Sequence, residues 1–591
     1  MKKIFLMSLT VLLMFSMVGC EDFLNQPPYD DFTDAEYWKN EDQARTFMYG
    51  FYTSIFSGYG SGSSHGPFLM GQTSNDDFAS DVEQQDLTPL VVPESDGSWS
   101  FTNIRKANYV LENIDRIDEN EATKNHWRGV ARFFRACYYS NLVFRYGDVP
   151  WYDRVPALSD NDYLYKDRDP RAFVDSCIIA DFQYAMDSVR ANDGNLQVNK
   201  YVVAAMASRL LLREGTFLKY HDLDKSMAEQ CLIVAKNAAE MVMSSGKYSI
   251  APSYKNLFVS EDLGGNPEII MYRQYEDGLL AHSTLAYSFT EAQGGLSKSL
   301  ADAFVASDGL PVYSKDANWV AKTADAFFAD RDPRLTMCVR DHYCVKGESL
   351  TPFSYALSGL AWNKFMDDSR ASETNPTWAK EKNTTDAPCL RYAEVLLNYA
   401  EAAYELHLLT GSSFSNEDLN KSINLIRARA DVNLPPLEVV GDKPAIAGVA
   451  FDDPKRLQIE QNANGGETSA ILWEIRRERR VELCMEGFRL NDLKRWSKLD
   501  YMWTGCNPDI RYGAYIRAID YQNKAKEIVL AGTISPTAND TVTNEGYILR
   551  NTLGQRNRPI KRNYINPIPS GQITLYKSKG YTLSQNTEWG W

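Results

Sequence analysis

The sequence predicts a mostly α-helical protein, a scaffold of paired helices carrying long irregular loops. Three observations predict it. Apolar residues recur at three-to-four spacing through several long segments, which is the period of a helix face. The stretches between those segments are rich in Gly, Ser, Asp and Pro and are too long to be simple connections. Apolar residues make up 44% and charged residues 24% of the 591-residue chain, which fits a globular protein with a core.

Residues 1–19 read as a lipoprotein signal peptide. Lys2 and Lys3 precede an apolar stretch from Ile4 to Val18, and Gly19 leads into Cys20. Met17 stands where such signals usually carry Leu. Cleavage before Cys20 would leave a lipidated cysteine. Each buried methylene of the acyl chains contributes ~0.8 kcal/mol, so several chains hold a protein to a bilayer. No later stretch approaches the roughly 18 uninterrupted apolar residues of a membrane span. Residues 20–32 read as a tether in which Pro27 and Pro28 oppose a helix. Residues 33–591 then read as one domain, with an N-terminal part over about 33–245 and a C-terminal part over about 246–591.

The first helix is expected to start at Thr33 and Asp34, both capping residues. It would turn Tyr37, Trp38, Ala44, Phe47, Met48 and Phe51 inward. Residues 57–100 are irregular. Further helices are expected from Ile104 to Ile117, Trp127 to Arg145, Lys200 to Phe217, Met227 to Ser244, Leu390 to Leu408 and Leu419 to Ala430. The Ala/Leu-rich segment from Lys200 can pack closely against a neighbour. Helices of this length in antiparallel pairs suggest tetratricopeptide-like hairpins, though without a clean period. Long irregular stretches at 246–300, 308–325, 340–388 and 431–468 complete the picture, and loops on a rigid scaffold commonly carry binding.

The net charge of −15 argues against nucleic acid, because a binder needs a basic patch to displace counterions from phosphates. Eight cysteines follow Cys20. Cys338 and Cys344 are the only close pair, while Cys137, Cys231 and Cys484 sit in apolar helical surroundings as small hydrophobes. No CxxC or Cys/His cluster suggests a zinc site, and without a P-loop or dinucleotide fingerprint no cofactor is expected; the spacing leaves open whether Cys338 and Cys344 pair and whether a loop holds a metal ion. Gly62-Ser63-Ser64-His65-Gly66 has the letters of a nucleophile elbow, but it lacks the preceding strand and following helix and reads as a loop. From Glu474 to Trp496 arginines alternate with glutamates, and charges three or four apart on a helix attract. This reads as a charge network joining a helix to loops. Dense arginine would lower carboxylate pKa values, whereas a general acid needs one raised.

Several segments carry a resemblance that spans nearly the whole chain. They are Cys20-Glu21-Asp22-Phe23-Leu24, Ala131-Arg132-Phe133-Phe134-Arg135-Ala136 and the turn Tyr146-Gly147-Asp148-Val149-Pro150. With them go the helix from Leu390 to Ala402, Glu478-Arg479-Arg480-Val481-Glu482-Leu483, Glu486-Gly487-Phe488-Arg489, Asp492-Leu493-Lys494-Arg495-Trp496 and Pro567-Ile568-Pro569. Together they resemble the SusD/RagB family of outer-membrane lipoproteins of Bacteroidetes. One departure is Thr587-Glu588-Trp589, where the family often has Pro-Gly-Tyr. The resemblance implies a surface-exposed, Cys20-anchored protein that binds a glycan or a peptide without cleaving it. It also implies a partner, a SusC-like TonB-dependent transporter, over which the protein acts as a lid. A surface glycan hydrolase and a purely structural or adhesive lipoprotein are the competing classes.

A sugar offers an apolar face to aromatic rings and a rim of hydroxyls to polar groups. Loop residues of both kinds are therefore the candidate ligand contacts: Asp76, Asp77 and Trp99 in the early loop, Tyr275, Tyr287 and Gln293 in the middle, and Trp319 and Trp362 later. Trp38, Trp127 and Trp496 lie on apolar helix faces and are expected in the core.

Overall fold

The structure is a computed structural model. It describes residues 37–64, 66, 68, 75–79, 91–290, 294–316, 318–345, 355–372, 377–464, 466–517, 520–521, 530, 545–549 and 557–590. The signal peptide, Cys20, His65 and Gln293 lie outside the described residues.

Helix α1 (Glu41–Ile55) begins later than expected. The side chain of Asn40 accepts the Gln43 N–H at 3.1 Å, and Glu41 and Asp42 follow it into the positive end of the helix dipole. Helices α2 (Thr102–Asn113), α3 (Glu121–Tyr146), α4 (Arg171–Ser188), α5 (Lys200–Tyr220) and α6 (Lys225–Met243) succeed one another. Asn120, Asn199 and Asp224 cap α3, α5 and α6 in the same way as Asn40 caps α1. Each helix packs on the next, α2 on α3, α3 on α4, α4 on α5 and α5 on α6, as in tetratricopeptide-like hairpins.

The sequence reading missed α4. Its core face carries charges, Arg171 paired to Glu214 of α5 and Asp181 to Arg135 of α3, so the apolar stripe is interrupted. The Tyr-Gly-Asp-Val-Pro turn explains how α3 hands over to α4. Gly147 takes φ +74°, which suits a residue without Cβ, and the Asp148 carboxylate accepts the Arg171 N–H at 2.8 Å.

Strand β1 (Ile269–Arg273) pairs antiparallel with β2 (Ala387–Arg391), Ile269 facing Arg391 and Arg273 facing Ala387. The expected helix from Leu390 therefore begins only at Tyr392, as α7 (Tyr392–Thr410), which packs on α5 and α6. The expected helix from Leu419 is two short ones, Asn416–Asn420 and Ile423–Arg427. The Ser422 hydroxyl donates to the Asp418 carbonyl at 2.5 Å at the break, a side-chain bond that competes with the helix ladder. A small meander of β3 (Glu438–Val440), β4 (Lys443–Ile446) and β5 (Val449–Ala450) precedes α8 (Ala470–Glu482) and α9 (Arg489–Arg495). Strands β6 (Tyr512–Arg517) and β7 (Glu545–Leu549) form the last hairpin, and α10 (Ser570–Ser578) follows.

Two cores result. The larger lies among the helices and takes in Trp38 and Trp127, each 1% exposed. The second lies under the C-terminal loops, from Tyr59 and Tyr254 to Ala514 and Ile548. The tail returns to the first half: Ser570 N–H donates to the Pro93 carbonyl at 2.9 Å and the Arg168 guanidinium to Asn586 at 2.6 Å. Trp589, in the divergent tail, is buried and donates to the Ile565 carbonyl at 2.8 Å. Among the described residues, no helix is long and apolar enough to cross a membrane.

Candidate functional site

The segment from Glu474 to Trp496 organises the site. It is not one helix. Between α8 and α9 the chain turns, with Met485 at φ +60° and Gly487 at φ +82°. Because these charges are buried, most pair with other elements and not along the helix. Glu482 accepts from Arg391 at 2.6 Å, Arg429 at 2.7 Å and Arg334 at 2.9 Å. Burial opposes its ionisation, and these three guanidinium groups hold it well below the usual carboxylate range. Glu486 is held the same way by Arg391 and Lys364, at 2.7 and 2.6 Å. The network thus ties α8 to β2 and to the loops. Glu474 departs from the expected lowering. Burial, aided by Asp453, outweighs Arg477 and raises it to about 7.

The candidate contacts fall in separate places. Asp76 and Asp77 are buried against the arginines of this segment. Asp76 bonds Arg489 at 2.7 and 2.8 Å, and Asp77 bonds Arg480 at 2.7 Å. Against the cost of burial, Arg480 and Arg489 bring Asp76 down to about 2. Trp362 is half-buried, its ring 5.9 Å from Phe78 beside them. Trp99 is buried edge-on to Tyr146, with ring centres 4.9 Å apart, and braces the end of α3. Tyr275 and Tyr287 fix the loop after α1, donating to the carbonyls of Gly60 at 2.8 Å and Ser63 at 2.5 Å. In that loop Ser64 donates to the Ser61 carbonyl, in a turn and not in a strand-to-helix elbow. Trp319 is half-buried, 6.2 Å from Tyr313 and under Arg331. Cys338 and Cys344 are both free thiols.

Two cavities flank the segment. One, of about 300 Å³, lies between the end of α1, α3, α5 and Phe488. Among its arginines, Arg209 grips Glu394 at 2.6 and 2.5 Å, and Arg213 donates to Asn141 at 3.1 Å and to the Ser140 carbonyl at 2.9 Å, while its Nε has no hydrogen-bond partner among the described residues. The other, of about 60 Å³, lies over α8 and α9. Trp473, Tyr313 and Tyr501 give it aromatic walls, and Arg476, Asp302 and Asn507 give it polar ones. Asp76 also lines it, the one sequence candidate among the described residues to do so. Lys455, Trp473, Arg477, Arg480 and Arg489 are half-buried and form its rim. The sequence signal for this cavity was present in the Trp473-to-Trp496 segment, but it read there as core and charge network.

Comparison with known proteins matches these features to one family. The model of the SusD family matches residues 267–589, more than half of the chain, and a second model, described as starch-binding and associating with the outer membrane, matches residues 72–212. A SusD-like protein P2 of Formosa agariphila is 24% identical over 82% of this chain and 89% of its own length. A SusD-like carbohydrate-binding protein of Bacteroides fragilis superposes with a TM-score of 0.65 at 20% identity, covering 91% of this chain and 99% of its own. A laminarin-binding SusD-like protein superposes at 0.53 with 16% identity, over 93% of this chain and all of its own length. The fold, the arginine–glutamate segment and these matches agree: the chain belongs to the SusD family.

Proposed function

We propose that the protein captures a glycan at the cell surface and delivers it to a SusC-like TonB-dependent transporter, for which it is the lid. The observation that carries the reading is the cavity over α8 and α9. It combines aromatic walls with fixed polar groups in a chain of this family, and that combination suits a sugar's apolar face and hydroxyl rim. Anchoring through Cys20 would keep the lid beside its partner, so the capture step needs only modest affinity. Of the sequence candidates, Trp319 and Trp362 keep partly exposed faces and remain ligand contacts in this reading, whereas Asp76 is held by Arg480 and Arg489 and Trp99, Tyr275 and Tyr287 pack within the fold. The role is binding without hydrolysis. The cavity's carboxylates are tied to cations, Asp453 to Arg477, Asp302 and Asp509 to Lys298, and Asp76 to Arg489, which leaves them poorly suited to donate a proton.

The test is affinity electrophoresis of the soluble chain, lacking residues 1–20, in gels containing a panel of polysaccharides, with reducing-sugar release assayed alongside. Retardation without sugar release, weakened by Trp473→Ala, is expected. Sugar release would overturn the binding-only role, and retardation by none of the glycans would remove the glycan.

A further inference from the structure

We propose that the cavity over α8 and α9 takes a uronic acid unit, its carboxylate held by Arg476. The proposal rests on the glycan-binding reading and narrows its ligand. Arg476 is 5% exposed and lines the cavity. Its Nη2 donates to Glu405 at 3.1 Å, while Nε and Nη1 are buried with no hydrogen-bond partner among the described residues. Native proteins rarely leave buried donors unmet, and on a guanidinium they carry charge as well. The group is also held rigid, stacked 4.3 Å over Trp496 and 4.9 Å over Tyr220.

Local charge balance selects an anion over a neutral acceptor. Arg476 shares Glu405 with Lys219, which lies 2.5 Å from it. Two cations thus meet one carboxylate around Arg476, whereas Arg495 and Arg479 are balanced by Glu401 and Asp492, Arg495 pairing with both and Arg479 with Asp492. The neighbouring cluster of Asp76 and Asp77 with Arg480 and Arg489 is balanced. A carboxylate entering over Arg476 would complete both the hydrogen bonds and the charge.

The rest of the cavity favours a sugar as the bearer of that carboxylate. Asp302 Oδ1 is a buried acceptor with no partner among the described residues, suited to a ring hydroxyl. Trp473 and Tyr313 line it with apolar surface suited to the C–H side of a pyranose. About 60 Å³ holds only a few water molecules, so the site fits one unit of a chain and not a long segment.

The experiment is calorimetric titration of the soluble chain with uronate oligomers (alginate, oligogalacturonide and glucuronan hexamers), with the same oligomers after carboxyl reduction to alcohols, with neutral laminarin hexamers and with an acidic peptide. At least one uronate oligomer is expected to bind, and its carboxyl-reduced form to bind roughly 10- to 100-fold more weakly, the range of a charged hydrogen bond. Arg476→Gln should reproduce that loss. The carboxyl-reduction arm needs no variant, so it decides the matter even where Arg476→Gln fails to fold. Equal binding of reduced and native oligomers overturns the proposal, as does binding of the acidic peptide alone. Binding of laminarin without any uronate also overturns it while leaving glycan capture standing. Binding of no glycan removes both.

Discussion

At the scale of single residues, the chain is most sensitive where buried charges depend on one another. Glu482 is fully buried among three arginines, and each of those arginines has at least one other carboxylate. Removing one partner of such a set leaves uncompensated charge in low dielectric, at a cost of about 3–5 kcal/mol. Glu482→Gln is therefore expected to lower the urea midpoint sharply, and an unchanged midpoint would show that the arginines repair the loss. Two histidines set a pH response. Burial pushes both His221 and His282 down from 6.5 to about 4. Burial keeps each neutral, although the bond each ring donates to a carbonyl favours the charged form: His282 accepts from the Thr284 N–H at 3.2 Å and donates to the Thr385 carbonyl at 3.0 Å, and His221 donates to the Lys494 carbonyl at 2.9 Å. The unfolded chain takes up protons as pH falls below 6.5, while the folded chain does not until about pH 4. Their contribution is thus complete above pH 6.5 and is lost on the way down, by about 2 kcal/mol per histidine at pH 5. Urea unfolding at pH 5 and 7.5 should show this decline, and it should be shallower in His282→Gln.

At the scale of elements, close helix packing and one helix break matter most. Gly215 lies inside α5, where alanine would ordinarily gain about 1 kcal/mol of helix propensity. Here an added Cβ would stand 2.9 Å from Leu232 Cγ and 3.0 Å from the Ala228 carbonyl of α6. Overpacking costs about 1–3 kcal/mol, so it wins, and Gly215→Ala should lower Tm. A raised Tm would mean that α6 shifts freely. The turn between α8 and α9 was hidden in the sequence, because the charge alternation runs on through it. Gly487 at φ +82° makes the turn possible, and the turn lets Arg480 and Arg489, from two helices, converge on Asp76.

At the scale of the whole molecule, the two cores divide the work. The helical core builds the scaffold, and the second core packs the loops that carry Trp319 and the Tyr313 wall of the cavity. The proposed lid role requires the chain to stay at the membrane. Cys20→Ala is expected to move it from the membrane fraction to the soluble fraction, and persistence in the membrane would place the anchor elsewhere.

The sequence by itself determined the mostly helical fold, most of the long helices, the core tryptophans and the family. Each of these rests on periodicity or on contiguous motifs, and such signals survive in one dimension. Tertiary structure alone decided the rest. Asp76 and Asp77 read as exposed ligand groups in a polar loop, but arginines some 400 positions away in the chain bury and occupy them. Trp99 read as a sugar platform, and its edge-on packing against Tyr146 at the end of α3 is seen only in the fold. Arg476 read as one member of a charge ladder, and only the placing of Glu405, Trp496 and Tyr220 around it shows two nitrogens left over. Whether a charge is spent or available depends on which partners fold against it, and local spacing does not encode that.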